Sequence, residues 1–241
     1  SIDKREQLKE IENKLAELGM DFENNINNHN DTVFIPEDLT RGLSDDYKKE
    51  RYQPDGRYAI DLSYPSFYAF MENAESDSIR KLLRYKFLNK AITDNRVILD
   101  EIIVLRNMLA EILGYPSYSA YVIEENMAKT PDAVWKFEND LKDKIQNKAN
   151  LDTKQLLEIK HAINDNSSEK VFDWEKYYYE NKLLISEYNV DNEEVKQYFE
   201  MNNVIDGFFE ISQLLFGIEY REVHEPSVWH NEVRMFEMLD K

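Results

Sequence analysis

The chain has four histidines, His29, His161, His224 and His230, and only the last two stand close together in sequence. The run His224-Glu225-Pro226-Ser227-Val228-Trp229-His230 contains the residue types of a zinc hydrolase, imidazoles to hold the metal and a glutamate to act as general base. Its spacing defeats that chemistry. Two ligands on one helix face stand four residues apart with the base between them, as in HExxH, whereas these stand six apart and Pro226 forbids a regular helix. The pair therefore reads as a loop histidine and a strand histidine with structural or surface roles.

Other reactive arrangements are missing from the sequence. There is no cysteine, which excludes a thiolate nucleophile, a thiolate metal site and a disulfide framework. No serine sits in a G-x-S-x-G elbow, and the six glycines form neither G-x-G-x-x-G nor a P-loop. Adjacent acids such as Asp45-Asp46 and Glu124-Glu125 point to different sides of a helix and read as solvated. The aromatic run Trp174-Glu175-Lys176-Tyr177-Tyr178-Tyr179 has a functional reading, because Trp and Tyr combine contact area with a polar tip suited to a ligand cleft. Its structural reading is core packing, since Trp174 and Tyr178 lie four apart on one helix face. The residues support no catalytic and no metal assignment.

The elements that would position these groups are mostly helical. Leu8, Ile11, Leu15, Leu18, Phe22 and Ile26 recur at steps of three and four and predict a long opening helix that ends in an asparagine cluster. Thr32 to Ile35 and Arg57 to Leu62 read as short strands, and the Pro54-Asp55-Gly56 turn favours their antiparallel pairing. Helices follow around Ile79, Leu82, Leu83 and Phe87, and around Ile98, Ile102, Leu105, Leu109 and Ile112, the second closed by Gly114 with Pro116 beyond. Thr130-Pro131 opens another, with Val134, Phe137, Leu141 and Ile145 expected to face inward. Two or three more precede Gly217. Tyr64-Pro65-Ser66-Phe67-Tyr68 and Tyr115-Pro116-Ser117-Tyr118 each mark the start of a short helix, and Asn164-Asp165-Asn166-Ser167-Ser168 a loop. Residues 229–241, with alternating apolar positions at Val233, Met235 or Phe236 and Met238, read as holding a half-buried strand.

Composition limits the partners. Hydrophobic residues make up 42% and aromatic residues 12%, so the chain is globular. With 48 acidic and 30 basic side chains the formal charge is −18, which repels phosphate backbones and anionic lipid heads. Nucleic acid and membrane are not expected partners, and no stretch is long enough for a membrane span.

A series of short matches then runs along the chain. Asp94-Asn95 and Leu105-Arg106 lead through Leu113-Gly114-Tyr115, Tyr118 and Tyr121 to Glu125-Asn126-Met127-Ala128-Lys129-Thr130-Pro131. The series resumes at Trp174-Glu175 with Tyr178-Tyr179. It continues with Tyr198-Phe199, Asn203-Val204, Asp206-Gly207-Phe208-Phe209, Phe216-Gly217-Ile218 and Trp229-His230, followed by Val233 and Phe236. In order and spacing, from about Asp61 onward, it resembles the thimet oligopeptidase and peptidyl-dipeptidase family of zinc metallopeptidases. Asn203-Val204-Ile205-Asp206-Gly207 and the stretch from Tyr121 to Thr130 resemble the peptidyl-dipeptidase branch more closely. Glu175 departs from the family's usual Asp, and Glu200 from the proline or small residue that often follows Tyr-Phe.

The resemblance implies a mainly α fold with small antiparallel β elements, the helical lobe fragment of a two-lobed peptidase whose lobes face each other across a channel for short peptides. It implies that residues 1–241 are an internal fragment N-terminal to the catalytic HExxH, with any lobe division between residues 114 and 217. Zinc belongs to the full-length parent, where it polarises the scissile carbonyl and activates water. None is expected in this chain, which is predicted to be inactive alone. Trp174, Tyr178 and His230 are the candidates for the channel wall. The parent would hydrolyse short peptides in the cytoplasm, releasing C-terminal dipeptides, and the fragment would self-associate through the apolar face left by truncation. Two alternatives remain: a thimet-like endopeptidase fragment and a non-enzymatic acidic helical interaction module.

Overall fold

A computed structural model of the chain describes residues 2–163 and 168–240. Most of the loop expected at residues 164–168 lies outside the described residues. The chain is mainly helical and divides into two compact units, Ser1–Leu183 and Leu184–Lys241.

In the first unit, α1 (Ile2–Asn27) leads to β1 (Thr32–Ile35), a 3₁₀ turn and α2 (Asp45–Arg51). Next come β2 (Tyr58–Asp61), α3 (Tyr64–Asn73), α4 (Asp77–Leu88) and α5 (Ile92–Leu113). The short α6 (Tyr118–Ile123), the long α7 (Pro131–Ile163), a 3₁₀ turn at Asp173–Glu175 and α8 (Lys176–Tyr188) follow, and the division between the units falls within α8.

β1 and β2 pair antiparallel with Val33 opposite Ile60 and Ile35 opposite Tyr58, as the turn residues between them favour. The alternation buries Val33 and Ile35 on one face and Tyr58 and Ile60 on the other strand of the same core. Phe67, Phe70 and Met71 of α3 and Leu83 of α4 close over this ribbon, and Phe67 stacks on Phe87 with ring centroids 3.9 Å apart. Fully burying each of these side chains contributes about 1.5–3 kcal/mol. Tyr47 of α2 lies in the same core and donates its phenolic hydrogen to the Ser66 carbonyl at 2.9 Å. Burial pushes its phenol up to about 12, against the downward pull of Ser66 and of Arg51.

A second packing surface joins α1 to α5 through Ile11, Leu18, Ile102 and Leu109. Asn95, buried between these helices, donates to the Phe22 carbonyl at 3.0 Å and accepts from Asn25 at 2.9 Å. α5 ends where Gly114 turns left-handed, φ 85°, and the Tyr115 N–H returns to the Ala110 carbonyl at 2.9 Å. The two look-alike motifs start helices differently. Pro65 lies within the first turn of α3, whereas Pro116 stays outside α6, which Ser117 caps by accepting from the Ala120 N–H at 3.1 Å.

α7 begins as expected, with the Thr130 hydroxyl accepting from the Ala133 N–H at 3.2 Å. Its predicted inward face is not inward. Val134 is half-buried, but Phe137 is 64% exposed and Ile145 51%, and Leu141 is also exposed. Period 3.6 identifies an apolar face; it does not supply the surface that covers it. The far end of α7 is anchored instead by Lys160. Its ammonium is buried, 2.7 Å from the Glu175 carboxylate and 2.8 Å from the Lys170 carbonyl. The same Glu175 oxygen accepts the Phe172 N–H at 2.8 Å.

The second unit holds α9 (Asn192–Val195), a 3₁₀ turn, α10 (Met201–Phe216), β3 (Ile218–Glu222) and β4 (Phe236–Asp240). β3 and β4 pair antiparallel with Tyr220 opposite Met238, and Phe209 of α10 packs on Tyr220 and Phe236, each ring 4.6 Å away. The strand expected within residues 229–241 is found at Phe236–Asp240, its last part only. β3 offers only five residues to pair with, and the intervening chain turns at His230, whose carbonyl accepts the Val233 N–H at 3.1 Å. On the opposite side of α10, Leu214 is 84% exposed and Phe208, Ile211 and Leu215 are also exposed.

Two measurements test these packing arguments. Lys160→Met should cost about 3–5 kcal/mol in urea unfolding because it strands a buried carboxylate. The double variant Lys160→Met, Glu175→Gln should recover most of that loss; equal losses for both would show that the ion pair is not the anchor. The second concerns pH. Because the Tyr47 phenol ionises near 12 when folded and near 10 when unfolded, its contribution is complete below pH 10 and declines as pH rises to 12. Stability should fall by up to about 1.4 kcal/mol per pH unit across that window. Tyr47→Phe should flatten this part of the profile, and an unchanged slope would refute the assignment.

Candidate functional site

The aromatic run singled out in the sequence meets the first turn of α4. The Trp174 indole N–H donates to Asp77 Oδ1 at 3.0 Å, and the same oxygen accepts from Arg80 Nη2 at 3.1 Å. The half-buried indole stacks parallel to the Phe172 ring at 4.6 Å, and the Lys81 ammonium lies 4.6 Å from the indole on the cation–π geometry. The guanidinium of Arg80 is placed 4.2 Å from the centre of the Tyr178 ring, and a further N–H donates to the Ala74 carbonyl at the end of α3. Burial pushes the Tyr178 phenol above its ordinary value, and the neighbouring Arg80 charge opposes that rise. Arg84 grips Asp173 through two hydrogen bonds, one of them Nη2 to Oδ1 at 3.1 Å. Asn181 of α8 donates to the Glu72 carbonyl at 3.2 Å.

Trp174 and Tyr178 are thus brought together around Asp77 and Arg80. They do not share one regular helix face, because Trp174 belongs to the 3₁₀ turn that precedes α8. Tyr178 is buried; Trp174 keeps a partly accessible edge. The cluster contains no nucleophile with an adjacent base. Chemically it is a joint in which the Asp77 carboxylate accepts from both the indole and the guanidinium.

His230 belongs to the second unit. It lies in the turn-rich segment before β4 rather than in a strand, which corrects the expectation of a strand histidine. The ring is about half exposed, and its Nδ1 accepts the Glu232 N–H at 3.2 Å, a local hydrogen bond that shapes the turn. His224, also exposed, lies in the same connection. Zinc, which the resemblance implies for the parent enzyme, needs three converging donors. Among the described residues no group of three His, Asp or Glu side chains stands close enough to hold a metal ion. The residues present do not fit a catalytic zinc site.

Two participants were not singled out from sequence. Arg80 shares the apolar face of α4, three residues before Leu83 and seven before Phe87, and Lys160 stands four residues after Leu156 and three before Ile163. A charge recurring at the helical period among apolar residues was the signal for both.

Comparison with known proteins adds the wider context. The sequence description of Peptidase family M3 matches residues 70–241. Saccharolysin of Saccharomyces cerevisiae is 28% identical over 244 residues, an alignment covering 95% of this chain and 34% of that protein. The thimet-like oligopeptidase of Dictyostelium discoideum is 28% identical over 249 residues, covering 99% and 37% respectively. Oligopeptidase A of Salmonella typhimurium is 26% identical over 258 residues, again covering 99% and 37%. The chain spans about a third of the length of these curated relatives. With most of its length matched by the family description, this chain belongs to Peptidase family M3.

Proposed function

We propose that this chain is a non-catalytic structural part of a zinc-dependent oligopeptidase, and that the parent enzyme hydrolyses short peptides. The observation that carries the reading is the family match over residues 70–241 in a sequence that contains no HExxH. Relatives bearing the name oligopeptidase align along nearly the whole chain, which supports peptides as the parent's substrates. The peptidyl-dipeptidase branch, with release of C-terminal dipeptides, is supported by the wording of residues 121–130 and 203–207.

In this reading zinc is supplied with its ligands by the remainder of the parent, and this chain contributes helices and channel wall. The partly accessible edge of Trp174, with Tyr178 beneath Arg80, is a wall segment in the first unit, and His230 one in the second. A cytoplasmic setting for the parent belongs to this reading, and a chain without cysteine is compatible with it. The uncovered apolar faces of α7 and α10 are surfaces made for burial, and the isolated chain associates through them.

The purified chain should cleave a quenched fluorescent peptide no faster than buffer does and should hold well under one equivalent of zinc after dialysis. Stoichiometric zinc together with cleavage would sink the proposal. In sedimentation velocity its mean mass should rise with concentration, and replacing Leu214 and Phe208 by Glu should restore a monomer; a monomer at every concentration would contradict the association.

A further inference from the structure

Along the open side of α10, Met201, Val204, Phe208, Ile211 and Leu215 recur at steps of three and four, with Leu214 at their border, and all six are exposed. The other side of the helix is occupied within the unit. Phe209 packs on Tyr220 and Phe236, and the buried Ser212 donates to the Phe208 carbonyl at 2.7 Å. The only charges on α10 are Asp206 and Glu210, and both stand roughly 100° or more round the helix from Ile211. In a chain of formal charge −18, this stripe is a face on which two copies can meet without setting acid against acid. The open stripe of α7 lacks that property, since Lys148 and Asp152 fall in line with Val134 and Leu141.

Gly207 gives the stripe its shape. It stands in the middle of α10, four residues before Ile211 and on the same side, and a Cβ placed on it would meet nothing within 4 Å. The fold of the unit does not call for a glycine there, because the backbone is helical and glycine is destabilising in a helix interior. What the missing side chain leaves is a notch one turn from the Ile211 ridge. Notch and ridge fit each other when a second copy runs antiparallel, so that Ile211 of each copy enters the notch of the other. Such self-complementarity is the mark of a two-fold contact. The same two-fold sets Val204 opposite Leu214, because both pairs are centred on residue 209. A parallel pair would set ridge against ridge, and only the antiparallel one opposes the helix dipoles. Six large side chains at about 100 Å² each supply the greater part of the roughly 800 Å² per partner of a standard interface.

We propose that two copies of this chain pair through α10, antiparallel about a two-fold axis beside residue 209, with Ile211 of each seated against Gly207 of the other. The proposal rests on the reading that the isolated chain associates through its uncovered faces, and it adds the partner and the register.

The sequence has no cysteine, so thiols introduced by substitution report without background. Val204→Cys and Leu214→Cys chains, mixed and treated with a short bis-maleimide, should give a cross-linked dimer, and either chain alone should give at least about tenfold less. In sedimentation velocity the mass should level at twice that of the chain. Gly207→Gln fills the notch with a better helix former, so it should weaken the dimer about tenfold while the urea midpoint of the monomer stays equal or rises. A variant that merely unfolds would lower both. Cross-linking of either chain with itself as efficient as in the mixture, mass that climbs past the dimer through a head-to-tail contact, or indifference to Gly207→Gln would overturn the proposal and leave association standing. A chain that is monomeric at every concentration would overturn both.

Discussion

The first unit depends on a buried guanidinium. Arg80 is 1% exposed, and a full positive charge is tolerable there only because three different elements answer it: the Ala74 carbonyl at the end of α3, the Asp77 carboxylate in α4 and the Tyr178 ring of α8. Its Nε has no partner among the described residues, so the arrangement retains a desolvation cost. What that cost secures is alignment. Asp77 also receives the Trp174 indole, and Trp174 stacks on Phe172, whose backbone N–H is held by Glu175, which is itself paired with Lys160. A series of hydrogen bonds and ion pairs, linked by one aromatic stack, thus joins α4, α7 and α8, beside an apolar core that has no directional preference of its own.

That arrangement separates two kinds of apolar surface. The ribbon of β1 and β2 is closed by α3 and α4, and its central side chains are shielded from water. The first half of α7 and one face of α10 carry equally apolar residues that are open. Both open faces lie within the region matched by the M3 family, in a chain that spans about a third of its relatives' length.

Local structure was legible in the sequence wherever the signal was local. The period of Ile11 and Leu18 located α1, the turn residues at 54–56 located the ribbon, and Gly114 located the end of α5. Burial was less legible, because it depends on a second surface: Phe137 and Leu141 have a core-like period and no cover. The strand near the end of the sequence lies within residues 229–241 as expected but occupies only Phe236–Asp240, since alternation that begins at Val233 says nothing of how long β3 is. At the candidate site Trp174 and Tyr178 stood out as aromatics. Their partners Asp77 and Arg80 lie about a hundred residues earlier and resemble an exposed ion pair until the fold folds α4 against α8. His224 and His230, six residues apart, both lie in one irregular connection rather than on a helix.

The central claim is that the chain contains a self-sufficient core with apolar helices left for burial elsewhere. Amide hydrogen exchange of the isolated chain, diluted until it is monomeric, tests this residue by residue. Amides of β1, β2 and α3 should exchange only with global unfolding, while those of residues 134–150 and of α10 should exchange at least about 100-fold faster. Protection in α7 and α10 equal to that of α3 would contradict the account.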